Sequence, residues 1–139
     1  MYPCIDPDRT ALAGFSMGGS GTYHLAAHRP DQWAVAHAGA AFAETYHYNK
    51  GGGASGGAND QSGAPWYEKA LWGVYDTPCY ARSLCSNVPF VGYNGADDDS
   101  TYPQSTSIME AAFAEHGARM ELILAPDTPH EYEGTALTE

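Results

Sequence analysis

Positive charge is scarce in this sequence: 6 Lys and Arg stand against 17 Asp and Glu in 139 residues, a net charge of −11. A surface that acidic repels phosphate backbones and anionic headgroups, which argues against nucleic-acid and membrane-surface partners. Long apolar runs are missing too, and none approaches the ~18 residues of a membrane-spanning helix. Residues 1–20 lack the basic-then-apolar plan of a secretory leader, and the compartment stays open. Large apolar side chains are the third shortage. Leu, Ile, Val and Phe make up 18 of the 139 residues, under the ~20% below which high net charge usually accompanies disorder. Against that stand 22 Ala and 17 aromatic residues, which bury surface without bulky aliphatics. The expectation is a single folded domain over residues 1–139 with a thin, alanine-rich core. Only three cysteines occur, Cys4, Cys79 and Cys85, with neither a metal spacing nor an even-numbered disulfide framework. A Cys79–Cys85 pair would need an oxidising compartment; unpaired small core residues are the simpler reading.

What is present has an alternating plan. Thr10-Ala11-Leu12-Ala13 is a strand-sized apolar run bounded by Pro7, Asp8 and Gly14. Met17 to His28 favours helix, with Tyr23, Leu25, Ala26 and Ala27 available for packing and Pro30 as the stop. Trp33–Ala38 reads as a second strand. Residues 51–63 carry six glycines and no large apolar side chain, the composition of a flexible insertion. They make no phosphate loop, since no Gly-Lys-Ser/Thr ends them. Trp66–Leu84 reads as short helices, and its Trp66, Tyr67, Trp72 and Tyr75 as core for a segment poor in aliphatics, with a pocket lining as the other reading. Val88–Tyr93, closed by Asn94-Gly95, is the third strand. A helix follows Ser100/Thr101 with Pro103 in its first turn, Ile108, Ala112 and His116 on one face, and Gly117 as C-cap. Arg119–Ala125 is the fourth strand. Strands alternating with helices imply a parallel β-sheet with flanking helices, an α/β fold of about four strands.

Chemistry concentrates in three places. Gly14-Phe15-Ser16-Met17-Gly18-Gly19 lies between an expected strand and an expected helix, the context a Gly-x-Ser-x-Gly turn requires to raise a serine nucleophile. Glycines two residues either side of the serine keep a Cβ out of the strained turn. The helix start and the Met17 amide are placed to receive a developing oxyanion. A serine needs a base, and the histidines are His24, His28, His37, His47, His116 and His130. Only His130 directly follows a strand in a loop, where open parallel sheets place their ligands and reacting groups. A third group must orient the imidazole, and Asp97, Asp98 and Asp99 follow the third strand; one of them suffices. Asp127, Glu131 and Glu133 near His130 read as a solvated acidic rim. His24 and His28 have helical metal spacing, but Leu25 stands where a zinc protease carries Glu, so packing or exposure is the default for them.

Residues 8–19 resemble the nucleophile elbow of α/β-hydrolases related to the prolyl oligopeptidase catalytic domain and to feruloyl-type esterases. Val88–Asp98 resembles the family's strand followed by Gly-x-x-Asp, a register that selects Asp98 with Asp97 as runner-up. Glu121–Pro126 running to Pro129-His130-Glu131-Tyr132 resembles its closing strand and histidine loop. The resemblance implies a serine hydrolase that cleaves a carboxylic ester or peptide-like amide through an acyl-enzyme, with Ser16 as nucleophile, His130 as base, Asp98 as its orienting acid and Met17 as one oxyanion donor. The substrate would be a small ester or a peptide, an ester by preference because no propeller domain is present to gate peptides. No metal or organic cofactor is implied, and the oligomeric state is not legible. The chain opens just before the elbow, so the resemblance covers a C-terminal half. The early strands and the loop carrying a second oxyanion donor are expected to be absent, and the edge at residues 9–14 to be uncovered. The rival expectation is a truncated, non-catalytic hydrolase remnant that binds a partner through that edge or is inert in isolation.

Overall fold

The computed structural model describes residues 6, 9–44, 65–84, 88–101, 103–117 and 120–131. The glycine-rich stretch 51–63, His47, Cys4, Cys85 and Glu133 lie outside the described residues. Four strands, β1 (Ala11–Phe15), β2 (Val35–Gly39), β3 (Phe90–Gly95) and β4 (Met120–Ala125), form one sheet in the order β1-β2-β3-β4. All three pairings are parallel, as the alternation of strands and helices requires. The helices are α1 (Met17–His28), α2 (Trp66–Tyr75), α3 (Ala81–Leu84) and α4 (Pro103–Glu115), with 3-10 turns at Pro30–Gln32 and Thr77–Tyr80. No described helix is long and apolar enough to cross a membrane.

Helices α1 and α4 pack on one face of the sheet. The row Leu12, Ala36, Phe90 and Met120 runs across all four strands in register and meets Tyr23, Ala26 and Ala27 of α1 and Met109 and Phe113 of α4. Among the described residues more than half of the buried apolar side chains are alanines and none is Leu or Ile, a core as thin as the composition implies. Its bulk comes from a few large side chains. Tyr23 stacks on Phe90 with ring centroids 5.1 Å apart, and Phe113 meets Phe90 edge-on at 5.7 Å.

Several sequence expectations shift. Strands β1, β2 and β3 each run one or two residues further than expected, because parallel pairing continues into Phe15, Gly39 and Gly95. Leu25 is 48% exposed, since the sheet-facing stripe of α1 runs through Thr22, Tyr23, Ala26 and Ala27. Among the described side chains of α4 the buried ones are Ser105, Thr106, Met109 and Phe113, one residue out of phase with Ile108, Ala112 and the exposed His116. Trp66, Tyr67 and Tyr75 are not core: α2 buries none of its residues, and these three are largely exposed. Cys79 is likewise exposed and free. Gly117 does end α4, with φ of 73°.

The core makes two contrasting predictions. Phe113→Ala should lower the unfolding free energy by about 3–5 kcal/mol, the cost of an aromatic truncated in a packed interior. Leu25→Ala should stay within about 0.5–1 kcal/mol of the parent, as a half-exposed side chain does. Urea unfolding of both variants measures the difference, and equal losses would contradict this assignment of the core face.

Candidate active site

Ser16 sits where β1 becomes α1, at φ 56° and ψ −118°. That is backbone which L-residues adopt only under constraint from their surroundings. The constraint is visible on both sides: the Ser16 amide donates to Gly39 O at 2.8 Å, extending the β1–β2 ladder, and the Ser16 carbonyl accepts from the Ser20 amide at 3.1 Å in α1. The turn closes so tightly that a Cβ on Gly14 would strike the Gly18 carbonyl and Thr22 Oγ1. On the helix side the expectation changes. A Cβ on Gly18 would meet nothing within 4 Å, whereas one on Gly19 would collide with Gly39 O and Ala41 Cβ. The glycine that lets the helix approach the sheet is therefore Gly19. Met17 is the first residue of α1, and first-turn amides have no intrahelical acceptor. Its side chain is 76% exposed.

His130 reaches Ser16 across 114 residues. Its Nε2 lies 3.0 Å from Ser16 Oγ, and its Nδ1 lies 2.8 Å from Asp98 Oδ2. An ionised carboxylate only accepts hydrogen bonds, so Nδ1 carries the proton and Nε2 is left to accept from the serine hydroxyl. The ring is also held from the side by Phe15, with centroids 4.9 Å apart. The loop that carries it is fixed to β3. Asp97 N donates to Thr128 O at 3.0 Å, Ala96 N donates to Ala125 O at 2.8 Å, and a Cβ on Gly95 would overlap the carbonyls of Thr128 and Pro129.

Of the three consecutive aspartates, Asp98 is the one turned inward. Its side chain is 0% exposed, while Asp97 and Asp99 are exposed. Oδ1 accepts from the amides of Ser100 and Thr101, both at 2.8 Å. Oδ2 accepts from Thr101 Oγ1 at 2.8 Å, from Asn94 Nδ2 at 3.3 Å and from His130. Burial pushes the carboxyl pKa upward, but the Thr101 amide, His130, the Thr101 hydroxyl and the Ser100 amide together hold it below its ordinary value. Asn94 is itself fully buried; its amide also donates to Thr101 O at 3.2 Å.

The structure thus brings Ser16, His130 and Asp98 together, with Met17 at the adjoining helix start. Asn94, Thr101 and Phe15 join the site without having been candidates from the sequence. Their signal was available in part: Asn94 is a polar residue inside an apolar strand, and Thr101 lies three residues after Asp98. Asp127 and Glu131 are exposed, as a solvated rim would be. Among the described residues no group of three or more His, Cys, Asp or Glu side chains could hold a metal.

Comparison with known proteins agrees with the fold. Residues 1–137 match the family model of the prolyl oligopeptidase family. Among solved structures, a protein described as a dipeptidyl aminopeptidase IV from Bacteroides ovatus superposes with a TM-score of 0.77 at 20% identity, covering 95% of this chain and 18% of its own. Dipeptidyl peptidase 4 of Porphyromonas gingivalis gives 0.76 at 19%, covering 95% and 18%. The acylaminoacyl peptidase of Pyrococcus horikoshii gives 0.74 at 15%, covering 92% and 21%. The chain therefore spans about a fifth of the length of these structures. No curated protein matches it at significant similarity.

The hydrogen bonds on Asp98 give a pH prediction. A carboxyl held low in the folded state adds stability above its unfolded pKa, and that stability is lost as pH falls through the folded value. Thr101→Val removes a donor to a buried charge and should cost about 1.5–3 kcal/mol at neutral pH. It should also move the acid limb of the stability profile to higher pH. Urea midpoints across the acid range, with Asp98→Asn as reference, measure both effects; an unmoved limb would contradict the role given to Thr101.

Proposed function

Because this chain belongs to the prolyl oligopeptidase family, we propose that it is a serine hydrolase acting by acyl transfer on a peptide-like amide, with carboxylic esters as its more easily cleaved substrates. The observation that carries the reading is the continuous Ser16–His130–Asp98 hydrogen-bond relay at the ends of three strands. In the proposed reaction Ser16 Oγ attacks the carbonyl carbon while its proton passes to His130 Nε2. The carbonyl oxygen takes the negative charge, with the Met17 amide as one donor to it. His130 then returns the proton to the departing amine or alcohol, leaving an acyl-serine. Water, deprotonated by the same imidazole, releases the acid. Asp98 stays ionised throughout and keeps Nδ1 protonated, so that the basic nitrogen always faces the serine. The preference for a peptide-like amide over an ester rests on family membership and reverses the ester preference drawn from the sequence.

The direct test is intact-mass analysis of the purified chain after treatment with a fluorophosphonate. One adduct is expected, absent in Ser16→Ala. In His130→Ala the labelling rate should fall on the order of 10⁴-fold, since members of such a relay act as a unit. Labelling that persists in Ser16→Ala, or a folded chain that takes no adduct, would favour the non-catalytic remnant instead.

A further inference from the structure

His24 and His28 take no part in the relay, yet both are more constrained than ordinary helix-surface histidines. Four residues apart on α1, they lie one above the other on the same helix face. Their rings are 4.1 Å apart centroid to centroid and inclined by 34°. Each ring has its Nδ1 turned to a backbone carbonyl. His28 Nδ1 lies 2.9 Å from His24 O, and His24 Nδ1 lies 3.4 Å from Tyr75 O at the end of α2. A carbonyl can only accept, so the proton of each neutral ring belongs on Nδ1, and each Nε2 is left with its lone pair. Neighbouring aromatics hold the pair in place. Tyr80 lies 4.6 Å from the His28 ring, and Tyr75 lies 6.4 Å from that of His24. Tyr80 is anchored in turn by its hydroxyl, which donates to Val74 O at 2.7 Å.

Two imidazoles on one helix face, each with Nδ1 turned to a carbonyl, have the outer-sphere arrangement that orients metal-binding histidines. We propose that His24 and His28 form a two-point site for a divalent transition metal of the imidazole-preferring class, Zn²⁺, Ni²⁺ or Cu²⁺. With no third His, Cys, Asp or Glu gathered there among the described residues, water completes the coordination and the ion exchanges freely. A closed structural zinc centre would need four protein ligands. His24 also lines a cavity of about 300 Å³ with Met17, Phe42, Glu44 and Tyr75. The bound ion would clamp two successive turns of α1, and His24 is itself tied to Tyr75 O at the end of α2. It would also stabilise the fold by mass action, because the unfolded chain does not hold the two rings together.

The test is a calorimetric titration of the full chain with Ni²⁺, set beside the double variant His24→Asn/His28→Asn and the control His116→Asn. Affinity at one site should fall roughly tenfold or more in the double variant, as ligand loss exceeds the 10–100-fold cost of losing an outer-sphere partner, and should be unchanged in the control. Ni²⁺ should raise the melting temperature of the parent and not of the double variant. A second measurement needs no variant: substoichiometric Cu²⁺ should broaden the imidazole resonances of His24 and His28 before those of the other histidines. Equal Ni²⁺ affinity in a folded double variant, or broadening confined to other histidines, would overturn the proposal.

Discussion

A carboxylate removed from water is costly unless other donors replace its hydration shell, and the carboxyl end of the sheet is organised around meeting that demand for Asp98. The donors come from separate pieces of chain: Asn94 from inside β3, the amides of Ser100 and Thr101 and the Thr101 hydroxyl from the turn before α4, and His130 from the loop after β4. Each must be in place for the charge to be tolerated, so the buried charge specifies the shape of the turn and the seat of the loop. It also specifies the tautomer of His130, since an acceptor at Nδ1 leaves the lone pair at Nε2. The direction of the relay toward Ser16 therefore follows from where the charge is buried.

The same region shows why a core so poor in large aliphatics can still hold a strained turn. Helix α1 lies close to the sheet because Gly14, Gly19 and Ala41 leave no bulk between them, and Thr22 Oγ1 donates to Gly18 O at 3.0 Å within the gap. Small residues bury little apolar area each, but they shorten the helix–sheet distance, and Tyr23, Phe90, Met109 and Phe113 then fill the wider part of the interface. Rigidity at Ser16 comes from close backbone approach. The bulk that stabilises the domain sits a turn or more away along α1. Those two jobs fall on different residues, which is why composition alone made the chain look close to disorder.

What could be read from the sequence, and what could not, divides along the same line. The parallel order of strands, the helix over residues 17–28 and the candidates Ser16 and His130 were legible because local punctuation marks them: Gly14 and Pro30 bound a segment, and each candidate follows a strand; the choice of Asp98 among three consecutive aspartates came from the family resemblance alone. The core face of α4 was not, because Ser105 and Thr106 are buried there and a hydropathy pattern assigns such residues to solvent. Side chains on α2 misled for the opposite reason. Trp66, Tyr67 and Tyr75 are large and apolar, and only the placement of α2 away from the sheet decides that they stay exposed. The need for Gly19 rather than Gly18 depends on how near β2 comes to α1, a distance that no spacing of residues along the chain encodes.

The sheet itself is unevenly enclosed, and the relay lies at its better-covered end. Parallel sheets are usually shielded on both faces; among the described residues α1 and α4 shield one. On the other, Ala11, Ala13 and Val35 are exposed, and His37 and Val91 are half-buried. Toward the carboxyl ends of the strands that face closes. Phe15, Gly39, Tyr93 and Ile123 stand in one row across the sheet, Tyr93 is only 2% exposed, and the Phe15 ring lies against His130. Ser16, just past the end of β1, and Asn94 on β3 each follow that row by one residue and are thus carried by the two strands that flank β2 and are held in register through it. Their separation is therefore set by the interstrand hydrogen bonds of β1 with β2 and of β2 with β3.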